Sequence, residues 1–298
     1  MSFQLAPFVV QEVKDTIEYC IPKGIKNINC EKLWDEGFTG AGIKIAILDT
    51  GCDINHICLK DRIIAYKNFT SDGSSTDVTD KTGHGTHVAG IVAGNRIAQG
   101  VTGIAPDAEL IIVKVIGTDG GYDADILKGI KYAIEQGADI INMSFGGKSN
   151  NVTIHKEIQK AVELGISVVV AGGNHGDGNA DTDEIIYPGA YEEVIEVGAV
   201  DVNDTVCSFS NSNSLIDVCS YGKGITSTYP NNRYAKLDGT SQATPHVAGI
   251  LALLKQKFKV ENGRVPTEME LYNELLKHTK QLTNISEKLQ GHGVVHIF

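Results

Sequence analysis

The stretch "LDGTSQATPHVAGILALL", residues 237–254, joins a glycine and small polar residues directly to an apolar helical repeat. The pattern predicts a buried helix over 241–258, with the lone hydroxyl of Ser241 at its start and Pro245 in its first turn. Backbone N–H groups and the positive dipole end at a helix start would stabilise an oxyanion formed when that hydroxyl attacks a carbonyl. An ordinary N-cap serine is the alternative.

Short β-branched runs alternate with helical repeats on the N-terminal side of this stretch. The runs lack a period of two, as expected of parallel strands that are covered on both faces. Predicted strands occupy 43–48, 109–115, 138–143, 166–171 and 194–200, and predicted helices occupy 84–94, 123–136, 152–164, 241–258 and 267–278. The alternation predicts an α/β fold, a three-layer α/β/α sandwich with a mostly parallel central sheet.

The N-terminal residues differ from the rest. They include Pro7 and Pro22, and their mixed pattern fits neither a sheet nor a long helix. We therefore expect residues 1–22 to form an extension outside the core and residues 23–298 to form one α/β domain.

Composition limits the classes of partner. The chain has 298 residues and a formal net charge of −11, and such an acidic surface disfavours nucleic acid. No apolar run is long enough for a membrane span, and no basic region precedes the apolar N-terminal stretch, so neither a membrane nor a secretory signal is expected. Six scattered cysteines without C-x-x-C spacing indicate reduced thiols in the cytoplasm and argue against a zinc site.

Polar residues follow the predicted strands or begin the predicted helices. In a parallel sheet, functional groups collect beyond the carboxyl ends of the strands. Asp49 follows the first strand, His84 begins a helix, and Asn174 follows the strand at 166–171. An imidazole is a suitable base for the Ser241 hydroxyl, a carboxylate fixes its tautomer, and an amide N–H₂ serves as a second oxyanion donor.

Each of these residues has a plain alternative. Asp49 fits a turn-forming aspartate in "LDTG", and Asn174 fits a loop residue with positive φ. His84 and His87 have a spacing that suits a metal, but no glutamate follows as in H-E-x-x-H and no third ligand is evident. The order Asp, His, Ser along an α/β chain favours the catalytic interpretation, because it is the order found in subtilisin.

The blocks "AILDTG", "GHGTHVAG", "NMSFGG", "AGGNHGDG" and "GTSQATPHVAG" resemble those of the subtilisin-like serine proteases, in family order and spacing between residues 25 and 262. The resemblance implies that residues 23–298 are a catalytic domain of a serine endopeptidase. It assigns Asp49, His84 and Ser241 to the catalytic triad, and it assigns Asn174 and the Ser241 N–H to the oxyanion hole.

The chain is most similar within this family to the bacterial intracellular subtilisins, because it shows no leader and contains "DTGC" at 49–52 and "LAPF" at 5–8. The resemblance implies an inhibitory extension that blocks the active site until proteolysis removes it, with the blocking segment at Leu5, Ala6, Pro7 and Phe8. An extended X-Pro peptide suits this role, since the fixed φ and missing N–H of proline hinder productive binding. A disordered tail is the alternative.

The resemblance also implies a substrate cleft for protein or peptide substrates. An extended substrate would pair between two backbone edges, formed by Gly120, Gly121 and Tyr122 on one side and by Ser144, Phe145 and Gly146 on the other. Ile186 stands at the base of the primary pocket where relatives usually have a smaller residue, and His175 stands where they usually have glutamate. We expect a shallow pocket that prefers medium apolar side chains. Relatives also imply a homodimer, for which the C-terminal "GHGVVHIF" is a candidate edge strand.

Metal sites depart from the family pattern. Cys58 and Ile97 stand where the strong calcium site needs oxygen ligands, so we expect that site to be absent. The resemblance leaves a weaker calcium or sodium site formed by the carbonyls of Gly189, Tyr191 and Val194 together with Asp217, and the acidic loop 176–184 is another candidate. No cofactor is expected in the chemistry. Gln242 replaces the methionine that usually follows the nucleophile, which predicts tolerance of peroxide.

Two further functions fit the same sequence. One is a maturation protease of narrow specificity that cuts a single leader or partner, an alternative motivated by the short pocket loop "TDGGYD" and by Ile186. The other is a peptide-binding scaffold without catalysis, against which the complete set of catalytic residue types argues.

Overall fold

A computed structural model describes residues 3–5, 8–98 and 100–298 of the chain. The strands in these residues are β1 (Val9–Lys14), β2 (Lys44–Asp49), β3 (Ile63–Asn68), β4 (Glu109–Lys114), β5 (Ile116–Gly117), β6 (Gly120–Gly121), β7 (Ile140–Met143), β8 (Ser167–Ala171), β9 (Ile195–Val200), β10 (Ile216–Tyr221), β11 (Ile225–Tyr229), β12 (Arg233–Asp238), β13 (Thr279–Lys280) and β14 (Val294–Val295). The helices are α1 (Lys23–Ile28), α2 (Glu31–Asp35), α3 (His84–Ala93), α4 (Asp123–Glu135), α5 (Val152–Glu163), α6 (Thr240–Asn262), α7 (Glu268–Lys277) and α8 (Glu287–Gln290).

A nine-stranded sheet in the order β13-β14-β10-β9-β8-β7-β2-β4-β3 forms the centre of the protein. Every neighbouring pair is parallel except β13 with β14. Ile45 and Ile47 of β2 enter the core shared with α3 and α6, whereas Ala46 and Leu48 enter the core shared with α4 and α5. Successive side chains of a strand must point to opposite faces, so the sheet is covered on both sides. The predicted three-layer α/β/α sandwich is confirmed.

Helix α6 starts one residue before the predicted boundary and ends four residues after it, where Gly263 provides a left-handed C-cap. Pro245 consequently lies in the second turn, so its prediction in the first turn is wrong. A proline at this position leaves the carbonyl of Ser241, four residues earlier, without its helical N–H donor. The hydroxyl of Ser144 supplies the missing hydrogen bond at 3.0 Å.

The N-terminal extension contains a strand, so the prediction that its pattern fits no sheet is wrong. Strand β1 pairs antiparallel with β12, which pairs on its other side with β11, and the three form a separate small sheet. All six side chains of β1 are exposed. Apolar patterning cannot reveal a strand that is held by backbone hydrogen bonds at a sheet edge. The boundary of an independent extension at residue 22 stays a prediction.

The C-terminal strand β14 is not an edge strand, which corrects the expectation for "GHGVVHIF". It lies between β10 and β13, and both of its residues are buried. Its backbone is therefore paired within the chain and offers no edge to a second copy. The homodimer stays a prediction.

Neither a membrane span nor a disulfide appears in the part of the chain that the structure describes. No helix there combines the length and the apolar character needed to cross a bilayer. All six cysteines are free thiols, and five of them are buried.

Candidate active site

Asp49 and His84 form a buried hydrogen-bonded pair at the carboxyl edge of the sheet. Asp49 ends β2 and His84 begins α3, and His84 Nδ1 lies 2.8 Å from Asp49 Oδ1. Because a carboxylate only accepts hydrogen bonds, Nδ1 carries a proton, and in the neutral imidazole Nε2 is therefore the nitrogen with the lone pair. The Thr50 N–H also donates to Asp49 Oδ1, at 2.8 Å. These donors satisfy one oxygen of a carboxylate that has no contact with solvent.

Asp80 connects the loop after β2 to the start of α3. Its Oδ1 accepts hydrogen bonds from Thr50 Oγ1 at 2.9 Å and from the Gly83 N–H at 2.8 Å. Its Oδ2 accepts from the N–H and the hydroxyl of Thr86, at 2.8 and 2.7 Å. One carboxylate therefore fixes the residues on both sides of His84. Asp80 was not predicted as a site residue, although a carboxylate four residues before a candidate histidine is visible in the sequence.

Lys114 binds the backbone on both sides of this hydrogen-bonded region, at Thr50 and at Thr79. Its side chain is 2% exposed, and its ammonium donates to the carbonyls of Thr50 and Thr79 at 2.7 and 2.9 Å. Burial lowers the pKa of Lys114, whereas the nearby Asp72 and Asp80 act in the opposite direction. The residue ends the apolar strand β4, and a charge in that place was a second signal that the sequence analysis missed.

Ser241 is held to one wall of the predicted cleft. Its hydroxyl donates to the carbonyl of Ser144 at 2.9 Å, while the Ser144 hydroxyl donates to the carbonyl of Ser241. Asn142 Nδ2 in turn donates to Ser144 Oγ at 3.0 Å. Among the described residues, His84 Nε2 has no hydrogen-bond partner. The structure thus joins Asp49 to His84 and Ser241 to Ser144, but in this state the hydroxyl does not bond to the imidazole.

Asn174 and the Ser241 N–H border one small volume. Asn174 Oδ1 accepts hydrogen bonds from the N–H and the hydroxyl of Thr240, both at 2.8 Å, so its Nδ2 points the other way. A methyl group placed on Gly239 would lie 2.9 Å from Asn174 Nδ2 and 3.7 Å from Ser241 N. Two donors on one volume at a helix start are the arrangement that stabilises an oxyanion.

Phe3 and Gln4 occupy the cleft between the two predicted backbone edges. Phe3 exchanges two backbone hydrogen bonds with Gly121, of 3.2 and 2.8 Å, and Gln4 exchanges two with Gly146, of 3.1 and 3.2 Å. Both pairings are antiparallel. Phe3 is 1% exposed, and its ring meets that of Phe145 edge-on at 5.8 Å. Gly120 and Ser144 belong to the same two edges, whereas the side chain of Tyr122 is exposed.

The predicted inhibitory segment is described only at its two ends. Leu5 packs against the core that contains Phe3 and Phe145. The Phe8 ring lies 5.0 Å from the imidazole of His84, centroid to centroid. Ala6 and Pro7, the two residues between these ends, lie outside the described residues.

Ile186 narrows the space between the walls of the predicted primary pocket. It is buried, and its Cδ1 would contact methyl groups placed on Gly146 and on Gly173. His175 is exposed, and its N–H donates to Asn211 Oδ1 at 2.7 Å. The preference for medium apolar side chains stays a prediction.

Protein donors already serve the carboxylate of the predicted weak cation site. Asp217 accepts hydrogen bonds from the Tyr272 hydroxyl at 2.6 Å and from the Glu196 N–H at 2.7 Å, and burial raises its pKa to about 6. The carbonyl of Tyr191 accepts from the Val194 N–H. Gly189 lies nearby, since a methyl group on it would be 2.9 Å from Glu196 Oε1. The cation site stays a prediction.

The region where the strong calcium site of the family would lie, around Cys58 and Ile97, is apolar. Cys58 forms a small buried cluster with Val101 and Tyr234, against which Ile97 packs. Within residues 3–5, 8–98 and 100–298, no group of three or more His, Cys, Asp or Glu side chains is arranged to hold a metal ion. The loop 176–184 instead uses its polar groups in local turns, for example between Asp177 and Thr182.

Glu196 is a buried carboxyl that the sequence analysis did not identify. It is fully buried on β9, where Asn213 Nδ2 donates to Oε1 at 3.3 Å and Oε2 has no hydrogen-bond partner among the described residues. Burial is the largest cause that raises the pKa of Glu196, to about 8. The carboxyl is therefore protonated in the folded protein at pH values where it is ionised in the unfolded chain.

Glu196 makes the folded protein less stable as the pH rises. The folded state binds the extra proton between pH 4.5 and about 8, so stability is full below that window and falls across it. We expect Glu196→Gln to reduce this fall by about 2–5 kcal/mol. The free energy of unfolding is measured with urea at pH 4.5 and at about pH 8. Both measurements use a Ser241→Ala background, which prevents self-digestion. Glu192→Gln, at an exposed position, is the control, and an unchanged pH dependence in Glu196→Gln would contradict the expectation.

Asp80→Asn should impair catalysis without changing any candidate catalytic residue. The amide cannot accept all the hydrogen bonds that hold Thr50, Gly83 and Thr86, so the His84 imidazole loses its fixed position. We expect kcat to fall about 10- to 100-fold. The check is peptidase kinetics, with folding verified by circular dichroism. Asp77→Asn is the matched control, because Asp77 is exposed and bonds only locally to Thr79; equal activities of the two variants would disprove this role.

Comparison with known proteins identifies the family of the chain. Residues 40–293 match the model of the subtilase family of peptidases. The chain is 45% identical over 302 aligned residues to the major intracellular serine protease of Bacillus subtilis (strain 168), an alignment that covers 99% of this chain and 93% of that protein. It is 47% identical to the intracellular serine protease of Paenibacillus polymyxa, covering 93% of this chain and 85% of that protein.

A third relative, subtilisin DY of Bacillus licheniformis, is 42% identical and is covered to 85%, but that alignment includes only 80% of this chain. The relatives named as intracellular proteases thus align with nearly the whole chain, and both the family match and the identities exceed what a shared fold alone would give. The chain belongs to the subtilase family and is a serine protease.

Proposed function

We propose that this protein is an intracellular serine endopeptidase that its own N-terminal extension keeps inactive until the extension is cut. The observation that carries the proposal is the position of Phe3 and Gln4, paired as a middle strand between the cleft edges, with Phe8 against His84. The intracellular location is proposed by analogy with the two relatives that carry that word in their names.

The catalytic steps follow from the donors and acceptors at the site. His84 Nε2 removes the proton from Ser241 Oγ, which attacks the substrate carbonyl. Asn174 Nδ2 and the Ser241 N–H stabilise the resulting oxyanion, and Asp49 stabilises the imidazolium. His84 then gives its proton to the leaving amine, and a water molecule activated by the same imidazole hydrolyses the acyl-enzyme. The bond between Asp49 and His84 Nδ1 supports the role of Nε2 as the base.

Inhibition follows from occupation of the same groups. The extension uses the backbone donors and acceptors of Gly121 and Gly146 that a substrate would need. With Phe8 against the imidazole, both His84 and Ser241 are 0% exposed, and the Ser241 hydroxyl bonds to Ser144 instead of His84. A hydroxyl without its base is a poor nucleophile. Release of Phe8 would let the Ser241 side chain turn toward His84 Nε2.

One observation favours the narrower alternative of a dedicated maturation protease. Ile186 fills part of the space between Gly146 and Gly173, which restricts the side chains that the primary pocket can accept. Digestion of casein separates the two functions: many fragments indicate a general endopeptidase, and an intact substrate indicates a dedicated one.

Ser241 should react with a fluorophosphonate only after the extension has been cut. We expect purified wild-type protein to lose N-terminal residues over time, with labelling increasing in parallel, because the cut exposes Ser241. Intact-mass spectrometry and gel fluorescence follow the two events. The Ser241→Ala variant is the control and should keep its full mass and stay unlabelled. Labelling that is complete before any mass is lost would rule out the inhibitory role.

Pro7→Ala should make the extension a better substrate for the enzyme itself. Alanine restores a backbone N–H and frees φ from the value that the proline ring fixes, and both changes remove the hindrance to productive binding in the cleft. We expect the time to half-processing to shorten about tenfold or more. The measurement is the same mass-spectrometric time course, with Glu18→Ala, an exposed change in the same extension, as control. Equal half-times for Pro7→Ala and wild type would show that Pro7 does not slow cleavage of the extension.

A further inference from the structure

The outer edge of β12 leads directly away from the catalytic centre, and β1 lies on it. The register joins Val9 to Asp238 at one end and Lys14 to Tyr234 at the other. Asp238 is only three residues before Ser241. A polypeptide that leaves the cleft beside His84 therefore meets the beginning of this edge, as Phe8 and Val9 do.

The pairing of β1 with β12 depends mainly on the backbone. All six β1 side chains are exposed, including those of Val9 and Val10, so the strand buries little apolar surface. The side-chain contacts are the Gln11 amide with the Asp238 carboxylate at 2.7 Å and a loose pair between Lys236 and Glu12 at 3.8 Å. An exposed ion pair of this kind contributes little. The edge thus recognises an extended main chain more than a particular sequence.

The direction of the chain in the cleft is that of a bound substrate. Phe3 and Gln4 run antiparallel to both cleft edges, at Gly121 and Gly146. A substrate that forms the same backbone pairs must run in the same direction, so its residues beyond the cut bond pass His84 and continue toward Asp238. Because β1 covers β12 in this structure, the edge becomes available only when β1 leaves.

We propose that the outer edge of β12, from Tyr234 to Leu237, binds the downstream part of an extended polypeptide substrate as an added β-strand. The partner is an unfolded or loosely folded chain with about seven or more residues beyond the cut bond, a length that matches the span from Phe8 to Lys14. This inference rests on the proposed function, and it requires that activation remove β1 together with the cleft segment.

Four quenched peptides with one cleavage site test the proposal on the self-processed enzyme. The short peptide ends two residues after the bond, and the long peptide continues for nine more with an extended polar sequence. The other two are versions of the long peptide that are N-methylated on alternate downstream residues, one version on the odd positions and the other on the even positions. Only one set of alternate N–H groups faces a neighbouring strand, so one version should lose the benefit of length and the other should keep it.

We expect the long peptide to have a kcat/KM about tenfold above that of the short one, mostly through KM, and one methylated version to fall to the short-peptide value. Equal kcat/KM for short and long peptides would overturn the proposal, as would two methylated versions that match the long peptide. Retention of residues 9–14 by the active enzyme would overturn it as well. If no peptide is cleaved, the endopeptidase activity itself fails, and this binding edge fails with it.

Discussion

The carboxylate of Asp49 is buried, and donors from the surrounding site reach one of its two oxygens. A buried carboxylate is stable only where hydrogen-bond donors reach it. Here the donors are His84 Nδ1 and the Thr50 N–H, which come from two segments that the sheet alone would not hold together. Asp80 and Lys114 bind those segments to each other. The same hydrogen bond that satisfies the carboxylate fixes the imidazole tautomer, so stability of the fold and reactivity of the site depend on one contact.

Pro245 interrupts the hydrogen bonding of α6, and this interruption connects the start of α6 to Ser144 in the wall of the cleft. By sequence it is a harmless residue in a first helical turn, but in the second turn it deprives the Ser241 carbonyl of its helical donor. Ser144 provides the replacement and receives the Ser241 hydroxyl in return. The wall of the cleft and the start of α6 are thus held at a fixed separation by two reciprocal hydrogen bonds. The N–H that Pro245 lacks is therefore replaced by a donor on Ser144, the residue that directly follows β7.

The elements that could be predicted are those whose burial produces a recognisable pattern of apolar residues in the sequence. Strands such as β2 and β8 are continuous apolar runs because both of their faces are covered, and the candidate site residues follow such strands or begin helices. Strand β1 has no such apolar pattern, since its side chains are all exposed and its partner β12 is more than 200 residues away. The role of Asp80 was missed for a related reason: its position before His84 is visible in the sequence, but its partners are backbone N–H groups and threonine hydroxyls, and residue types alone do not show that a carboxylate binds them.

The extension has two attachments of different character, and the difference bears on how it would be released. Phe3 is buried in the cleft, whereas β1 lies on an exposed edge with little apolar contact. While the chain is continuous, each attachment raises the effective concentration of the other, so weak contacts suffice to keep the site covered. A cut between them removes that advantage from both pieces at once. Each piece must then compete with substrate through its own contacts alone. The attachment of β1, which has backbone pairing but little burial, is weaker than that of Phe3. Covalent continuity, more than the strength of either contact, would therefore keep the site closed.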